Sequence, residues 1–152
     1  MKRDSRLSLA LHVLLHLADA DHPLSSEQLG PMMNVNPVVL RRTLGGLRDA
    51  GIVASAKGHG GGWSLSRPLA AITVADVYEA LGTPAPFRIG HRQPEPRCLL
   101  ERAVNRALDG AMSDAEALLI GRLRQLTLQA LAAEFGPAIA RHHAHKEHEP
   151  HV

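Results

Sequence analysis

The sequence predicts a mainly α-helical fold with one small β-hairpin, and three observations lead to this prediction. Leucine and alanine dominate while aromatic residues make up 3% of the chain, which favours packed helices over a large sheet. Residues 36–68 read as a basic helix, a strand, a glycine-rich loop and a second strand. The C-terminal third repeats leucines at helical spacing. Together these features predict a winged helix-turn-helix followed by a long C-terminal dimerisation helix.

Length, charge and cysteine content limit the possible classes of protein. The chain has 152 residues, which suits one domain, and a net charge of +2 with a pI near 9.1. This mild excess permits nucleic acid as a partner without requiring it. Cys98 is the only cysteine, so an intrachain disulfide is excluded. Residues 7–17 form an apolar run too short to span a bilayer, so we expect a cytoplasmic protein without membrane contact.

The first two helices are predicted from periodicity and a cap. Residues 5–20 carry apolar side chains at helical spacing. Ser25 and Gln28 form a capping box at the start of a second helix that runs to about Met33. Pro31 predicts that this second helix is short or kinked, because proline removes one helical hydrogen bond.

The third helix carries the strongest local signals. Asn36 fits the N-cap position and Pro37 the first helical position. Gly51 is placed to end the helix. Gly45 and Gly46 weaken the helix, and we expect them to permit close packing against a neighbouring helix. The buried stripe consists of Leu40, Leu44 and Leu47.

Residues 52–57 and 63–67 are predicted as two strands of a hairpin, joined by a glycine-rich loop at residues 58–62. Its HGGG run resembles the oxyanion-hole motif of esterases, but the nucleophile elbow G-x-S-x-G is absent. A phosphate-binding loop would need Lys-Ser/Thr or a following helix, and here a strand follows. A wing tip is therefore the favoured interpretation, with a plain hairpin turn as the alternative.

The excess of basic residues in the third helix and the wing predicts contact with double-stranded DNA. Arg41 and Arg42 lie near the start of the second helix of the helix-turn-helix, where arginine can pair with guanine. We expect Arg48, Lys57 and Arg67 to meet phosphates or to make no contact. The wing tip would approach phosphates or a minor groove. The predicted DNA-contacting residues are Asn36, Pro37, Val38, Arg41, Arg42, Arg48, Lys57, His59, Gly60, Gly61 and Arg67.

The C-terminal half is predicted to contain three more helices. Thr73 and Asp76 form the cap of the first, and residues 99–111 form the second. Ser113 and Glu116 form a further capping box, which predicts a separate long helix ending near residue 135. Its apolar stripe requires a partner, and a symmetric homodimer is favoured over a helix folded back on its own domain. The stripe consists of Leu119, Leu123, Leu126, Ala130 and Ala133.

These elements divide the chain into four predicted parts. They are a DNA-binding domain at 1–82, a proline-rich sensor loop at 83–97, dimerisation helices at 98–137 and a histidine-rich tail at 138–152. The tail could capture divalent metal weakly, but a disordered, solvated tail is favoured. His12 and His16 share a helix face without a third ligand nearby, so we predict ordinary, partly buried histidines and no metal site.

Four segments resemble the Rrf2 family of bacterial winged-helix regulators. They are ALHVLLHLA, NPVVLRRTLGGLRDAGIV, KGHGGGWSLSRP and ITVADVYEAL, and with the long final helix the resemblance covers residues 1–135. It implies a dimeric repressor or activator that binds a palindromic operator.

The same resemblance raises the question of an iron–sulfur cluster. The cluster-binding members carry three cysteines before the penultimate helix, and only the last, Cys98, matches. Arg92 and Pro86 stand at the other two positions, and Glu101 stands where a histidine is usual. His12 is the one candidate ligand on helix 1. We therefore expect no cofactor, as in the clusterless branch of the family.

Cys98 is then a candidate redox-sensing thiol. It is predicted at a helix N-terminus beside Arg97, a setting typical of reactive cysteines. Oxidation could give a sulfenic acid, a mixed disulfide or a Cys98–Cys98 bond across a dimer. A buried, inert cysteine is the alternative.

The leading hypothesis is a homodimeric transcription regulator, with repression favoured. The alternative is a winged-helix protein-interaction module that does not bind DNA and docks an acidic partner instead. An enzyme is disfavoured, because the sequence offers no acid–base pair, catalytic triad or metal cluster outside the tail.

Overall fold

The computed structural model describes residues 4–87 and 89–134, and it confirms a mainly helical fold with one β-hairpin. The predictions for residues 135–152, including the histidine-rich tail, lie outside the described residues. Residues 128–134 are helical. No helix in the described part of the chain is long and apolar enough to cross a membrane. The elements are α1 (Arg6–Asp19), α2 (Ser26–Met33), α3 (Pro37–Asp49), β1 (Val53–Ala56), β2 (Gly62–Leu65), a 3-10 turn (Leu69–Ala71), α4 (Val74–Ala80) and α5 (Leu99–Gln125).

One hydrophobic core joins the helix-turn-helix, the hairpin and the segment after α5. The predicted stripe of α3 is confirmed, since all three of its leucines are fully buried. They pack in the same cluster as apolar residues from α1, β1 and α4. Burial of this kind contributes about 1.5–3 kcal/mol per large aliphatic side chain. The fully buried members are Ala10, Val13, Leu14, Leu29, Leu40, Leu44, Leu47, Ile52, Val53, Ile72, Val77 and Leu128.

Local caps define the helix-turn-helix, as predicted. The backbone N–H of Gln28 donates to Ser25 Oγ at 3.1 Å, and the N–H of Ser25 donates to Gln28 Oε1 at 2.8 Å. Pro31 lies inside α2, which is short at eight residues. Asn36 caps α3 by accepting from the N–H of Val38 at 2.9 Å.

The wing comprises β1, β2 and the loop between them. Its strands are shorter than predicted, and they pair antiparallel from Val53↔Leu65 to Ala56↔Gly62. The wing is also bonded to the chain before α2, because Trp63 N–H donates to Leu24 O at 2.8 Å and Leu24 N–H donates to Trp63 O at 3.0 Å. These bonds fix the orientation of the wing relative to the helices.

The prediction of a helix boundary at Ser113 is wrong. α5 is one helix of 27 residues that runs through Ser113 without interruption. The flanking alanines and leucines are strong helix formers and neither glycine nor proline adjoins Ser113, so the capping signal is overridden.

The real break follows at Leu126, inside the helix that was predicted to continue to residue 135. Val74 N–H donates to Leu126 O at 2.8 Å, and Leu128 N–H donates to Ile72 O at 2.9 Å. Thr127 Oγ then accepts from the N–H of Ala130 at 3.1 Å, which begins the next helical segment. The chain after α5 therefore returns to α4 and to the core.

Candidate nucleic-acid interface

The surface of α3 outside its stripe of buried leucines is exposed and cationic. Arg41, Arg42 and Arg48 all lie on it, as their spacing relative to the leucine stripe predicts. Val38 and Val39 at the start of the same helix are 56% and 48% exposed, although both are apolar. Exposed aliphatic groups beside arginines at a helix start can meet thymine methyl groups while the arginines meet guanine.

A cleft separates the start of α2 from the wing, and we call it the α2–wing cleft. It has a volume of about 290 Å³ and includes Arg41 of α3. One wall is fixed by the indole Nε1 of Trp63, which donates to Ser26 Oγ at 3.1 Å. The cleft therefore brings α3 and the wing to one side of the molecule. It is lined by Ser25, Ser26, Glu27, Arg41, Ser55, Ala56, Gly61, Gly62 and Trp63.

Arg41 forms an ion pair that the sequence did not reveal. Its Nη2 donates to Oε1 of Glu27, in the first turn of α2. The side chains of Arg41 and Glu27 remain 52% and 63% exposed. Backbone hydrogen bonding at the helix start, followed by the bond from Arg41, lowers the pKa of Glu27, so both favour the ionised carboxylate.

The other two arginines of α3 differ in their surroundings. Arg48 lies near Asp49 Oδ1, at 3.3 Å from its Nη2. Arg42 is exposed, and no hydrogen bond or ion pair to it is found among the described residues. Arg42 is therefore the more available of these two cations for a ligand.

The predicted contact residues of the wing fall into two groups. Lys57, His59 and Gly60 are exposed at the tip. Gly61 is half-buried, and a Cβ there would lie 2.4 Å from Ala56 O, so this glycine is needed for the turn. The tip thus presents one lysine, one histidine and backbone groups to a partner.

Three further predicted residues have structural contacts of their own. The Oδ1 of Asn36 serves as the cap of α3, and Pro37 beside it is half-buried. Arg67 is also half-buried, with its Nη1 at 3.5 Å from Ala71 O and its Nε buried. Arg67 therefore lies against the 3-10 turn after the wing rather than on the exposed tip.

Cys98 is the N-cap residue of α5, and its thiol is exposed. The predicted position at a helix start is confirmed, and the residue is not buried in the single chain. The described part of the preceding loop is held on α5 by polar contacts. They join His91 to Asp109 at 2.8 Å, Arg92 to Glu101 at 3.4 Å, Arg102 to Pro96 O at 2.9 Å and Asn105 to Gln93 O at 3.0 Å.

Comparison with known proteins identifies relatives that match most of the chain. The sequence is 32% identical over 126 residues to YwnA of Bacillus subtilis (strain 168), named as an HTH-type transcriptional regulator, covering 83% of this chain and 93% of that protein. A solved structure of a DNA-binding protein is 29% identical with a TM-score of 0.67, over 84% of this chain and 98% of that chain.

Two further solved structures share the fold at lower identity. A transcriptional regulator from Lactobacillus plantarum superposes with a TM-score of 0.75 at 22% identity, over 95% of this chain and 99% of that chain. CymR, the global cysteine regulator of B. subtilis, superposes with a TM-score of 0.58 at 23% identity, over 88% of this chain and 98% of that chain. The relatives are regulators rather than enzymes, in agreement with the sequence-based expectation.

The model of the Rrf2 family, described as iron-dependent transcriptional regulator, matches residues 3–134. Within the described residues no three His, Cys, Asp or Glu side chains converge as a metal site, and Arg92 pairs with Glu101 at 3.4 Å near Cys98. The expectation that the chain holds no cofactor stays a prediction. The match spans most of the sequence and agrees with the winged-helix fold, so the chain belongs to the Rrf2 family of transcriptional regulators.

Proposed function

We propose that this protein is a homodimeric repressor that binds a palindromic operator through α3 and the wing. The α2–wing cleft is the observation that carries this proposal, because Arg41 of α3 and the wing residues Ala56 and Gly61 line the same cleft. Docking of α3 in a major groove would then leave the wing close to the adjacent backbone.

The exposed apolar surface of α5 supports the dimer. This helix contains no buried residue in the isolated chain, although it is rich in leucine. Several large, exposed apolar side chains on one helix are typical of a protein–protein contact. Two copies related by a twofold axis would present two α3 helices, which matches a palindromic site. The exposed residues are Leu99, Leu100, Val104, Leu108 and Leu118, at 36–79% exposure.

Selection from a library of random duplexes tests operator binding directly. We expect the purified full-length protein to enrich one palindromic sequence, and a footprint on it to cover two half-sites. A reporter gene placed behind that sequence should be expressed less when the protein is present. Absence of any enriched sequence, together with capture of an acidic protein, would favour the interaction module instead.

We also propose that Cys98 adjusts operator binding through its oxidation state. The thiol is exposed at the junction between the loop and α5, so a change there could reach the dimer contact. Hydrogen peroxide would transfer one oxygen to the thiolate, giving a sulfenic acid, and its other oxygen would leave as water after taking up a proton from solvent. Operator affinity of the wild type should change with peroxide, and that of Cys98→Ser should not. Equal responses of the two proteins would exclude this role.

A further inference from the structure

We propose that Glu27 is a specificity-determining residue, which directs Arg41 toward the neutral edge of a base and away from phosphates. This inference rests on the proposed function of operator binding. Glu27 is an acidic residue of α2, and it is not among the DNA-contacting residues predicted from the sequence.

The geometry leaves Arg41 partly engaged. One of its guanidinium nitrogens, Nη2, donates to Glu27 Oε1, and its side chain is still 52% exposed. A guanidinium has five N–H donors, so several remain for a second acceptor. Both residues line the α2–wing cleft, so a ligand that reaches Arg41 from this cleft also meets the Glu27 carboxylate.

The two kinds of acceptor in DNA respond differently to that carboxylate. Guanine O6 and N7 belong to a neutral base, so Arg41 can donate to them while its bond to Glu27 is kept. A phosphate is anionic, and at the same distance it is repelled by Glu27 while it is attracted by Arg41. The ion pair has no net charge, so it displaces fewer counterions from random DNA than a free arginine would. Glu27 thus weakens binding to DNA in general more than binding to the correct base.

The position of Glu27 makes this effect local. It lies in the first turn of α2, where the helix start stabilises its charge, and Ser26 beside it is held by Trp63. The backbone that carries Glu27 is therefore held at the edge of the cleft.

The test compares Glu27→Gln with the wild type on two probes, the duplex enriched by the wild type and a scrambled duplex of equal composition. We expect Glu27→Gln to bind the scrambled duplex about three- to tenfold more tightly and with a salt slope steeper by about one. Affinity for the enriched duplex should change by less than about twofold. The ratio of the two affinities should therefore fall.

Asp49→Asn provides the matched control. It removes one negative charge beside Arg48 at the other end of α3, without touching Arg41. We expect this variant to change the affinity for both duplexes by a similar factor. The double variant Arg41→Ala/Glu27→Gln should have the same affinity ratio as Arg41→Ala alone, because Glu27 acts through Arg41.

Three results would overturn the inference. They are an unchanged ratio in Glu27→Gln, a change equal to that of Asp49→Asn, or a Glu27→Gln effect that persists without Arg41. If the wild type enriches no sequence, the proposed operator binding fails and the inference fails with it. Circular dichroism of each variant verifies that the fold is kept, and Glu27→Asp should retain part of the discrimination, since it keeps the charge.

Discussion

The indole Nε1 of Trp63 donates a hydrogen bond to Ser26 Oγ at 3.1 Å and thereby joins β2 to the first residue of α2. Ser26 is buried and Trp63 half-buried, so this bond is partly shielded from water. Together with the two backbone bonds between Trp63 and Leu24, it connects the wing to the helix-turn-helix. These contacts act together with the shared hydrophobic core, which packs Ile52 and Val53 against the leucines of α3, to hold the wing against the helix-turn-helix.

A double-mutant cycle with Trp63→Phe and Ser26→Ala measures the side-chain part of this connection. Each single change should lower the free energy of unfolding, and the coupling between them should be about 1 kcal/mol, the net value of a typical hydrogen bond. Urea unfolding of the four proteins gives this coupling. A coupling near zero would mean that the bond does not stabilise the fold.

The adjacent glycines of α3 give a second prediction. A Cβ at Gly46 would lie 3.1 Å from Ala80 O, at the end of α4, whereas a Cβ at Gly45 would meet nothing within 4 Å. Gly45→Ala should therefore raise the free energy of unfolding by up to about 1 kcal/mol, because alanine is the better helix former. Gly46→Ala should raise the free energy of unfolding by less, or lower it, because the end of α4 must move to make room for the new methyl group. Equal stabilities of the two variants would contradict this close approach.

This pair also shows where sequence reasoning succeeds and where it stops. Both glycines were expected to permit close packing, and only Gly46 does, because the neighbour is set by the path of α4 and not by the α3 sequence. The caps at Ser25, Asn36 and Thr73 were predictable, since each involves residues two or three positions apart.

The features that were missed depend on residues distant in sequence. The end of α5 is set by backbone bonds from Leu126 and Leu128 to the segment at Ile72 and Val74, which no local pattern encodes. The ion pair between Arg41 and Glu27 likewise joins two helices, and it exists only once the turn has brought them together. The exposed arginines of α3 were predictable from periodicity, but their partners were not.

Tyr78 leads to a prediction about alkaline pH. It is buried, and its hydroxyl donates to Pro84 O at 2.6 Å, which holds the start of the loop against α4. Burial, followed by the nearby charge of Glu116, raises the pKa of Tyr78 above its ordinary value of 10.0. The folded protein therefore binds this proton more tightly than the unfolded chain does.

The stabilisation from this proton is complete below the ordinary pKa, and it is lost as the pH rises through the raised pKa of the folded protein. Tyr78→Phe should abolish this loss of stability at alkaline pH. It should also lower the free energy of unfolding by about 1 kcal/mol near neutral pH, because the variant lacks the hydrogen bond to Pro84. Urea unfolding across the alkaline range checks both effects. Because Tyr78 is the only tyrosine, ultraviolet titration reports its ionisation directly. Identical pH profiles of the two proteins would rule out this contribution.

The proposed dimer predicts different effects for two substitutions on α5. Val104 is 56% exposed on the apolar face, and Ser113 lies nine positions later, about two and a half turns, on the opposite side. Val104→Glu should place a charge in the dimer contact and shift the protein to monomers, while Ser113→Glu should leave the dimer intact. Light scattering after size exclusion gives the mass of each. A monomeric wild type, or a dimer that tolerates Val104→Glu, would place the contact elsewhere.

Arg42 and Arg48 predict different kinds of loss on DNA, although both lie on the exposed face of α3. Arg42 is nearer the start of the helix and is without a partner among the described residues, so it is suited to a base edge; Arg48 lies beside Asp49 near the end. Arg42→Ala should weaken the binding free energy for the enriched duplex by about 1–3 kcal/mol. It should also relax the base preference at one position of each half-site.

Arg48→Ala should instead lower the affinity for the enriched and scrambled duplexes by similar factors. It should also reduce the salt slope by about one, as expected for a phosphate contact. Fluorescence anisotropy at several salt concentrations separates the two patterns. If Arg42→Ala weakened both duplexes equally, Arg42 would contact only the backbone, and base recognition at this part of α3 would fall to Arg41 and to the exposed valines before it.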